Sequence, residues 1–143
     1  MTEASRTELE ADVAVRLEGY RWVRWVDGRV PELPRDVVGR FLAPPCHVLA
    51  HLWVPAPPDT PLAPQPFRHV PGYASDVALA LRACERRGLF RDGSAALTRS
   101  ANGAWRVTAD GLGRALEHDS LPLLLCTAGL AWSRVSGHAA RGT

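Results

Sequence analysis

Between residues 55 and 71 the chain reads PAPPDTPLAPQPFRHVP, with seven prolines. No other stretch restricts the fold as strongly. Each proline fixes its own φ and withdraws a backbone donor, so the segment can be neither a helix interior nor a central strand. It is expected to be a long, partly extended loop of polyproline character, residues 55–71. A loop of that length in a compact domain is as a rule either functional or disordered. It is not expected to be a domain linker, because too little chain precedes it to fold alone. At 143 residues the chain has the length of one domain, expected over 1–135, with 136–143 as a flexible tail.

Periodicity assigns the elements around that loop. Ser5 and Glu8 form an S-x-x-E capping box, and Leu9, Val13 and Leu17 put one apolar face on a first helix that stops at Gly19. Tyr20 to Val26 favours a pleated surface and reads as a strand, ended by a turn at Asp27-Gly28. Residues 29–45 read as irregular, and HVLAHLWVP, 47–55, as an edge strand. The second helix is capped by Ser75 or Asp76, turns Val77, Leu81 and Cys84 inward and stops at Gly88. SAALTRS and AWRVTA, separated by ANG, read as a β-hairpin, and DGLGRALEHD as a loop or one helical turn. Ser120 caps the last helix, with Pro122 in its first turn and Leu121, Leu124, Leu125, Ala128, Trp132 and Val135 on its buried side. The order α-β-β-α-β-β-α predicts an α+β fold, a small antiparallel sheet packed with about three helices.

Composition narrows the class. The chain is 46% hydrophobic and 22% charged, as soluble globular proteins are. Its net charge is +2, and the basic side chains, all arginine, are scattered; a duplex-binding stripe is therefore not expected. The N-terminus lacks the apolar core of a signal peptide, and the longest apolar run, LPLLLCTAGLAW, is too short to span a bilayer. Cys46, Cys84 and Cys126 are odd in number and far apart, which suits a reducing cytoplasm better than a disulfide framework. Cys84 and Cys126 fall on helix faces and read as small core residues.

Several of these pieces carry a resemblance. The helix running into GYRWVRW, the VPGYASDVALALRACE entry to the middle helix with its Tyr73, Ser75 and Asp76, the aromatic strand AWRV and the final HDSLPLLLCTAGLAW with Leu121, Pro122 and Leu123 resemble the small phage "ABA sandwich" domain and the related NinX-like phage proteins. The resemblance implies a virus- or prophage-derived accessory protein in the cytoplasm of a bacterial host. It brings no activity with it.

Enzyme signatures are missing. The sequence holds no G-x-S-x-G, no phosphate-binding P-loop, no G-x-G-x-x-G and no H-E-x-x-H. His118-Asp119-Ser120 has the letters of a catalytic triad, but adjacent side chains diverge; the run reads as a helix cap. Cys46, His47 and His51 could share a metal if the segment were helical, with His69 as a further ligand, but the segment reads as strand. Neither a catalytic role, a cofactor nor a metal is expected.

Tyr20 to Trp25 then raises a choice. In a strand Tyr20, Trp22, Arg24 and Val26 face one way and Arg21, Val23 and Trp25 the other. One reading is a sheet covered by helices, with its arginines reaching outward along their apolar stems. The other is a stacking platform for a planar, anionic ligand: Tyr20, Trp22 and Trp25 offer rings, Arg21 and Arg24 bind phosphate, and Arg68, His69 and Tyr73 close over it from the end of the loop. The second reading predicts a non-catalytic protein that sequesters a small nucleotide-type immune signal of the host, an anti-defence sponge. An alternative is a modulator that grips a host or phage enzyme through the proline-rich loop; deleting residues 56–66 should then abolish capture and leave the fold intact. A small hydrolase or zinc protein is a third. With five tryptophans and a small sheet, self-association into a homo-oligomer is also expected.

Overall fold

Three helices, α1 (Glu3–Glu18), α2 (Val77–Arg86) and α3 (Leu121–Arg141), alternate with six strands: β1 (Arg21–Trp25), β2 (Phe41–Ala43), β3 (Trp53–Pro55), β4 (Ala95–Arg99), β5 (Trp105–Ala109) and β6 (Leu116–His118). The computed structural model that shows this describes residues 1–26, 39–91, 93 and 95–141, from 136 onward by backbone alone. The class is α+β, and helices and strands follow one another in the expected order. The strands form two three-stranded antiparallel sheets, β2-β1-β3 and β4-β5-β6, where one small sheet was expected. The chain divides into two compact units, Gly19–Val70 on the one hand and Met1–Glu18 with Pro71–Thr143 on the other. The turn expected at Asp27-Gly28 lies outside the described residues.

The unit that contains the helices is built by local signals. Thr2, not Ser5, caps α1: its Oγ1 accepts from the Ser5 backbone N–H at 3.1 Å, so the helix starts almost a turn before the expected box. Asp76 caps α2 by accepting from the Leu79 N–H at 3.2 Å, and Ser120 caps α3 through the Leu123 N–H at 3.5 Å. Helix α3 runs on to Arg141, through the segment expected to be a tail; Ala139, Ala140 and Arg141 are good helix formers. Val13, Leu17, Ala83, Cys84, Leu124, Leu125 and Cys126 are fully or almost fully buried. Cys84 Sγ donates to the Leu125 carbonyl at 3.1 Å. Both buried thiols are pushed up to about 12, chiefly by burial, so they stay protonated and fill space as the sequence suggests.

Gly129 of α3 lets this core close. A Cβ there would stand 2.7 Å from Leu17 Cδ1 and 3.0 Å from Cys84 Sγ, so α1 and α2 approach α3 where it has no side chain. Against this helical layer β5 turns Val107, paired with Leu97 on one side and Leu116 on the other; the opposite face carries Thr98, Arg106 and Glu117, open to solvent. Strand β6 was expected as a loop or helical turn. It has one apolar residue, Leu116, which is too little to show a period in sequence.

In the Gly19–Val70 unit the register sets Arg21 opposite Ala43, Val23 opposite both Phe41 and Pro55, and Trp25 opposite Trp53. Val23, Phe41, Ala43, Trp53 and Ala63 form its buried core, with Trp25 and Ala50 packed against it. Strand β2 was expected to be irregular. It is three residues long, and all three are buried, so no alternation marks it. Only the end of the expected 47–55 strand is one: His47 to Leu52 turns instead, with the Ala50 N–H donating to the His47 carbonyl at 3.0 Å and a short 3-10 helix over Ala50–Leu52.

The proline-rich segment is partly extended, as expected, in a parallel bridge at Leu62 with Arg40, and it lies down along the sheet. Its carbonyls at Pro61 and Pro66 accept from the Arg40 and Leu42 N–H groups at 2.9 and 2.8 Å, and the Ala63 N–H donates to the Arg40 carbonyl at 3.0 Å. Gly39, at φ +120°, permits this: a Cβ there would meet the Ala63 nitrogen at 2.6 Å and the Leu62 carbonyl carbon and Pro61 oxygen at 2.8 Å. The segment is thus the outer partner of β2. Deleting residues 56–66 would strip hydrogen bonds from the sheet, contrary to the expectation that the fold would survive it. No helix among the described residues is long and apolar enough to cross a membrane.

Candidate functional site

Within the Gly19–Val70 unit the aromatic strand β1 has both faces in use, and the structure assigns its residues to them. Arg21, Val23 and Trp25 share a face with Phe41, Ala43, Trp53 and Pro55. Trp22 and Arg24 take the other. There Trp22 meets Phe67 edge-on at 5.9 Å between ring centres, and the Arg40 guanidinium lies 4.4 Å over its ring. Arg40 Nε also donates to the Thr60 carbonyl at 2.9 Å. The guanidinium over this ring is that of Arg40, not of Arg21 or Arg24, which the sequence reading set beside the rings.

Rings fill the Val23 face. His47 stacks on Trp53 with centres 4.9 Å apart, and Phe41 and Trp25 stand nearly edge-on to Trp53 at 5.5 and 6.0 Å. His69 sits 5.5 Å from His47, 5.6 Å from Trp53 and 5.8 Å from Phe41. Burial, then the positive potential of His47 and Arg68, hold the His69 imidazole below its ordinary value of 6.5, so it resists protonation. The Tyr20 hydroxyl donates to the His69 carbonyl at 3.3 Å and fixes the end of the loop. His47 uses Nδ1 to accept from the Leu49 N–H at 3.1 Å.

Beside this cluster is a cavity of about 130 Å³. Val23, Ala43, Ala50, Pro55 and the Trp53 ring make its apolar wall; Arg21, exposed, stands at it with a guanidinium that meets no carboxylate among the described residues. Trp53 is only 9% exposed, and its Nε1–H is buried with no acceptor among the described residues. An unmade hydrogen bond of that kind costs about 1–3 kcal/mol, and buried donors in folded proteins are almost always paired. The charge of this unit is positive. Its described residues carry Arg21, Arg24, Arg40 and Arg68 against Asp59, and with residues 27–38 included there are six arginines against four acids.

Of the eight residues read from sequence as a site, Arg21 and Trp22 border the cavity. Trp25 and His69 belong to the ring cluster behind it, Tyr20 braces that cluster, and Arg68 is exposed next to it. Arg24 reaches back to the Trp25 carbonyl at 3.4 Å. Tyr73 is corrected: it belongs to the other unit and is 1% exposed in the short 3-10 helix Tyr73–Ser75, which the Glu10 carboxylate tethers by accepting from the Ala74 N–H at 3.0 Å. An aromatic ring in a core turn has no surface to offer a ligand. Trp53, Ala43, Ala50 and Arg40 were missed; the register that pairs Trp53 with Trp25 depends on a strand boundary that no sequence pattern marks. Cys46 and His51 are exposed, and no group of three or more metal-ligating side chains comes together among the described residues.

Comparison with family models, curated proteins and solved structures finds no match to this chain.

Proposed function

We propose that this protein is a non-catalytic, phage- or prophage-derived accessory protein that binds a small, anionic, nucleotide-type ligand in the Gly19–Val70 unit and sequesters it. The observation that carries the reading is the cavity with an apolar floor and, at its edge, an Arg21 that meets no carboxylate among the described residues. A flat ring fits the floor, and a guanidinium suits phosphate bidentately. The arginine excess of the unit favours an anion. On the opposite side of β1 the Trp22 ring is occupied by the Arg40 guanidinium and by Phe67, so the reading keeps Arg21 as the phosphate ligand and gives up Trp22 as the stacking ring. The sequence resemblance to small phage proteins is the ground for proposing that such binding occurs in the host cytoplasm, where holding a nucleotide-type immune signal would blunt a defence.

Native mass spectrometry before and after incubation with a lysate of phage-infected cells tests this. The expected result is a small bound species released unchanged on denaturation, lost in Arg21→Ala. A clean mass in every preparation, with no retained or added nucleotide, would remove the reading and favour a protein partner. The same spectrum gives the stoichiometry and so checks the homo-oligomer.

A further inference from the structure

The outer strands of the two sheets are not alike. β2 is covered by the proline-rich segment, β3 is three residues long and ends in Pro55, and β6 is three residues long and carries exposed Glu117 and His118. Short length, proline and charge are the usual means by which an edge strand is kept from pairing with another chain. β4 has none of them. Its five residues, Ala95–Arg99, include no proline, and among the described residues β5 is the one element packed extensively along it. Its single charge does not guard the edge: the Arg99 guanidinium lies 5.2 Å over the Trp105 ring of β5, and Arg99 Nε donates to the Gly103 carbonyl at 3.4 Å.

The hairpin fixes which backbone groups this edge offers. The Ser100 N–H donates to the Ala104 carbonyl at 2.8 Å and closes the β4–β5 turn. Bonded and non-bonded pairs alternate from there, so Thr98 and Ala96 bond to β5, while Arg99, Leu97 and Ala95 aim their N–H and C=O groups away from it. These three residues are evenly spaced about Leu97. On the face toward the helices, the row Leu116, Val107, Leu97 is closed in the middle, where Val107 is fully buried, and ends at β4 on a half-buried Leu97.

We infer that β4 is a self-association edge: a second copy of this chain pairs with it antiparallel, about a two-fold axis through Leu97. In that register Leu97 faces its own copy and Ala95 faces Arg99 in both directions, each pair exchanging both of its backbone hydrogen bonds. No other two-fold register uses all three outward-facing residues. The strand is its own complement. Each arginine meets an alanine, so like charges do not stand opposite one another, and Leu97 gains the apolar neighbour that its row lacks. The pairing is also closed. Both β4 edges are consumed, and the joint sheet ends on each side in a short β6 with its exposed Glu117 and His118.

Sedimentation of the full-length protein over a concentration series, with three variants, tests this. The unsubstituted chain is expected to dimerise. Ala95→Pro removes an outward donor and no β4–β5 hydrogen bond, so its circular dichroism should be unchanged and its dimerisation at least about tenfold weaker. In a Cys46→Ser background, Leu97→Cys should form a covalent dimer on mild oxidation, because the register holds that residue about 5.5 Å from its copy, within reach of a disulfide. Ala95→Cys in the same background stands about 13 Å or more from its copy and should stay uncrosslinked. A monomer at every concentration would overturn the proposal. So would a dimer that crosslinks at position 95 or fails to crosslink at 97, or one as tight in a folded Ala95→Pro as in the unsubstituted chain. If Ala95→Pro disturbs the hairpin, the two cysteine variants decide alone.

Discussion

The two units are filled by different chemistry. In the helical unit the buried side chains are mostly aliphatic or small, Val13, Leu17, Ala83, Leu124, Leu125 and two thiols that titrate only near 12, with the Tyr73 ring among them. In the Gly19–Val70 unit Phe41 and Trp53 share the core with Val23, Ala43 and Ala63, the Trp25, His47 and His69 rings lie against Trp53 or Phe41, and the buried Trp53 donor meets no acceptor among the described residues. The first kind of core is indifferent to pH in the neutral range and closes by shape. The second is sensitive to protonation, closes through rings that meet edge to face, and keeps a cavity beside it. Shape-filling interiors favour stability, and polar interiors with voids are where binding chemistry is found.

Substitutions can break that contrast. Gly39→Ala should have the largest effect. It drives a methyl into backbone atoms at 2.6 and 2.8 Å at a φ of +120°, combining local strain with overpacking, and should destabilise the Gly19–Val70 unit by roughly 3 kcal/mol or more. Denaturant unfolding followed through tryptophan fluorescence would measure it; a loss below about 1 kcal/mol would show that the proline-rich segment is not anchored at that point.

Gly129→Ala tests the helical unit in the same way. The added methyl meets the Leu17 tip and the Cys84 sulfur, groups that can yield a little, and alanine suits a helix better than glycine. A net loss of about 1–2 kcal/mol is expected from thermal unfolding, because overpacking outweighs the propensity gain. A gain in stability would mean that α3 is not pressed against Leu17 and Cys84.

The thiols sharpen the comparison without mutation. In the native protein a neutral-pH alkylating reagent should modify Cys46, which is exposed, and leave Cys84 and Cys126 intact until the helical unit opens. Rapid labelling of all three under native conditions would contradict the tight core.

His69 gives a smaller effect with a definite sign. Its folded pKa lies below the unfolded 6.5, so between the two values the unfolded chain holds the extra proton. Stability conferred by this group is therefore complete above about 6.5 and declines as pH falls toward the folded value. Replacing His69 with Gln should flatten that part of the stability–pH curve. An unchanged curve would show that His69 titrates freely. Smallest of all is Arg40→Met, which removes the cation over Trp22 and the Thr60 hydrogen bond; about 1 kcal/mol is expected from urea unfolding.

What could be read from the sequence follows the range of the interactions concerned. Caps and stops are local: Asp76, Ser120, Gly19 and Gly88 mark helix ends correctly, and ANG marks the β4–β5 hairpin. The strand Arg21–Trp25 announced itself through its rings. Short strands did not, because Phe41–Ala43 and Leu116–His118 are ordered by partners far along the chain. The candidate site was legible by half for the same reason. Arg21 stands out as a basic residue in an aromatic strand, whereas Trp53 becomes a cavity wall only once Trp53 and Trp25 are in register. Tyr73 was drawn into the site by nearness in sequence to Arg68 and His69, though its ring is a core piece of the other unit.

The way the proline-rich segment lies along β2 has a consequence for behaviour in concentrated solution. Pro61 and Pro66 accept from Arg40 and Leu42, but a proline has no N–H with which to offer the next rung of a ladder. The segment is therefore a chain terminator for the sheet: it takes up donors on one side and presents a surface poor in donors on the other. Growth of cross-β fibres needs each added strand to template its successor. On the β2 side of this molecule that propagation stops at the prolines, which makes them a safeguard against aggregation.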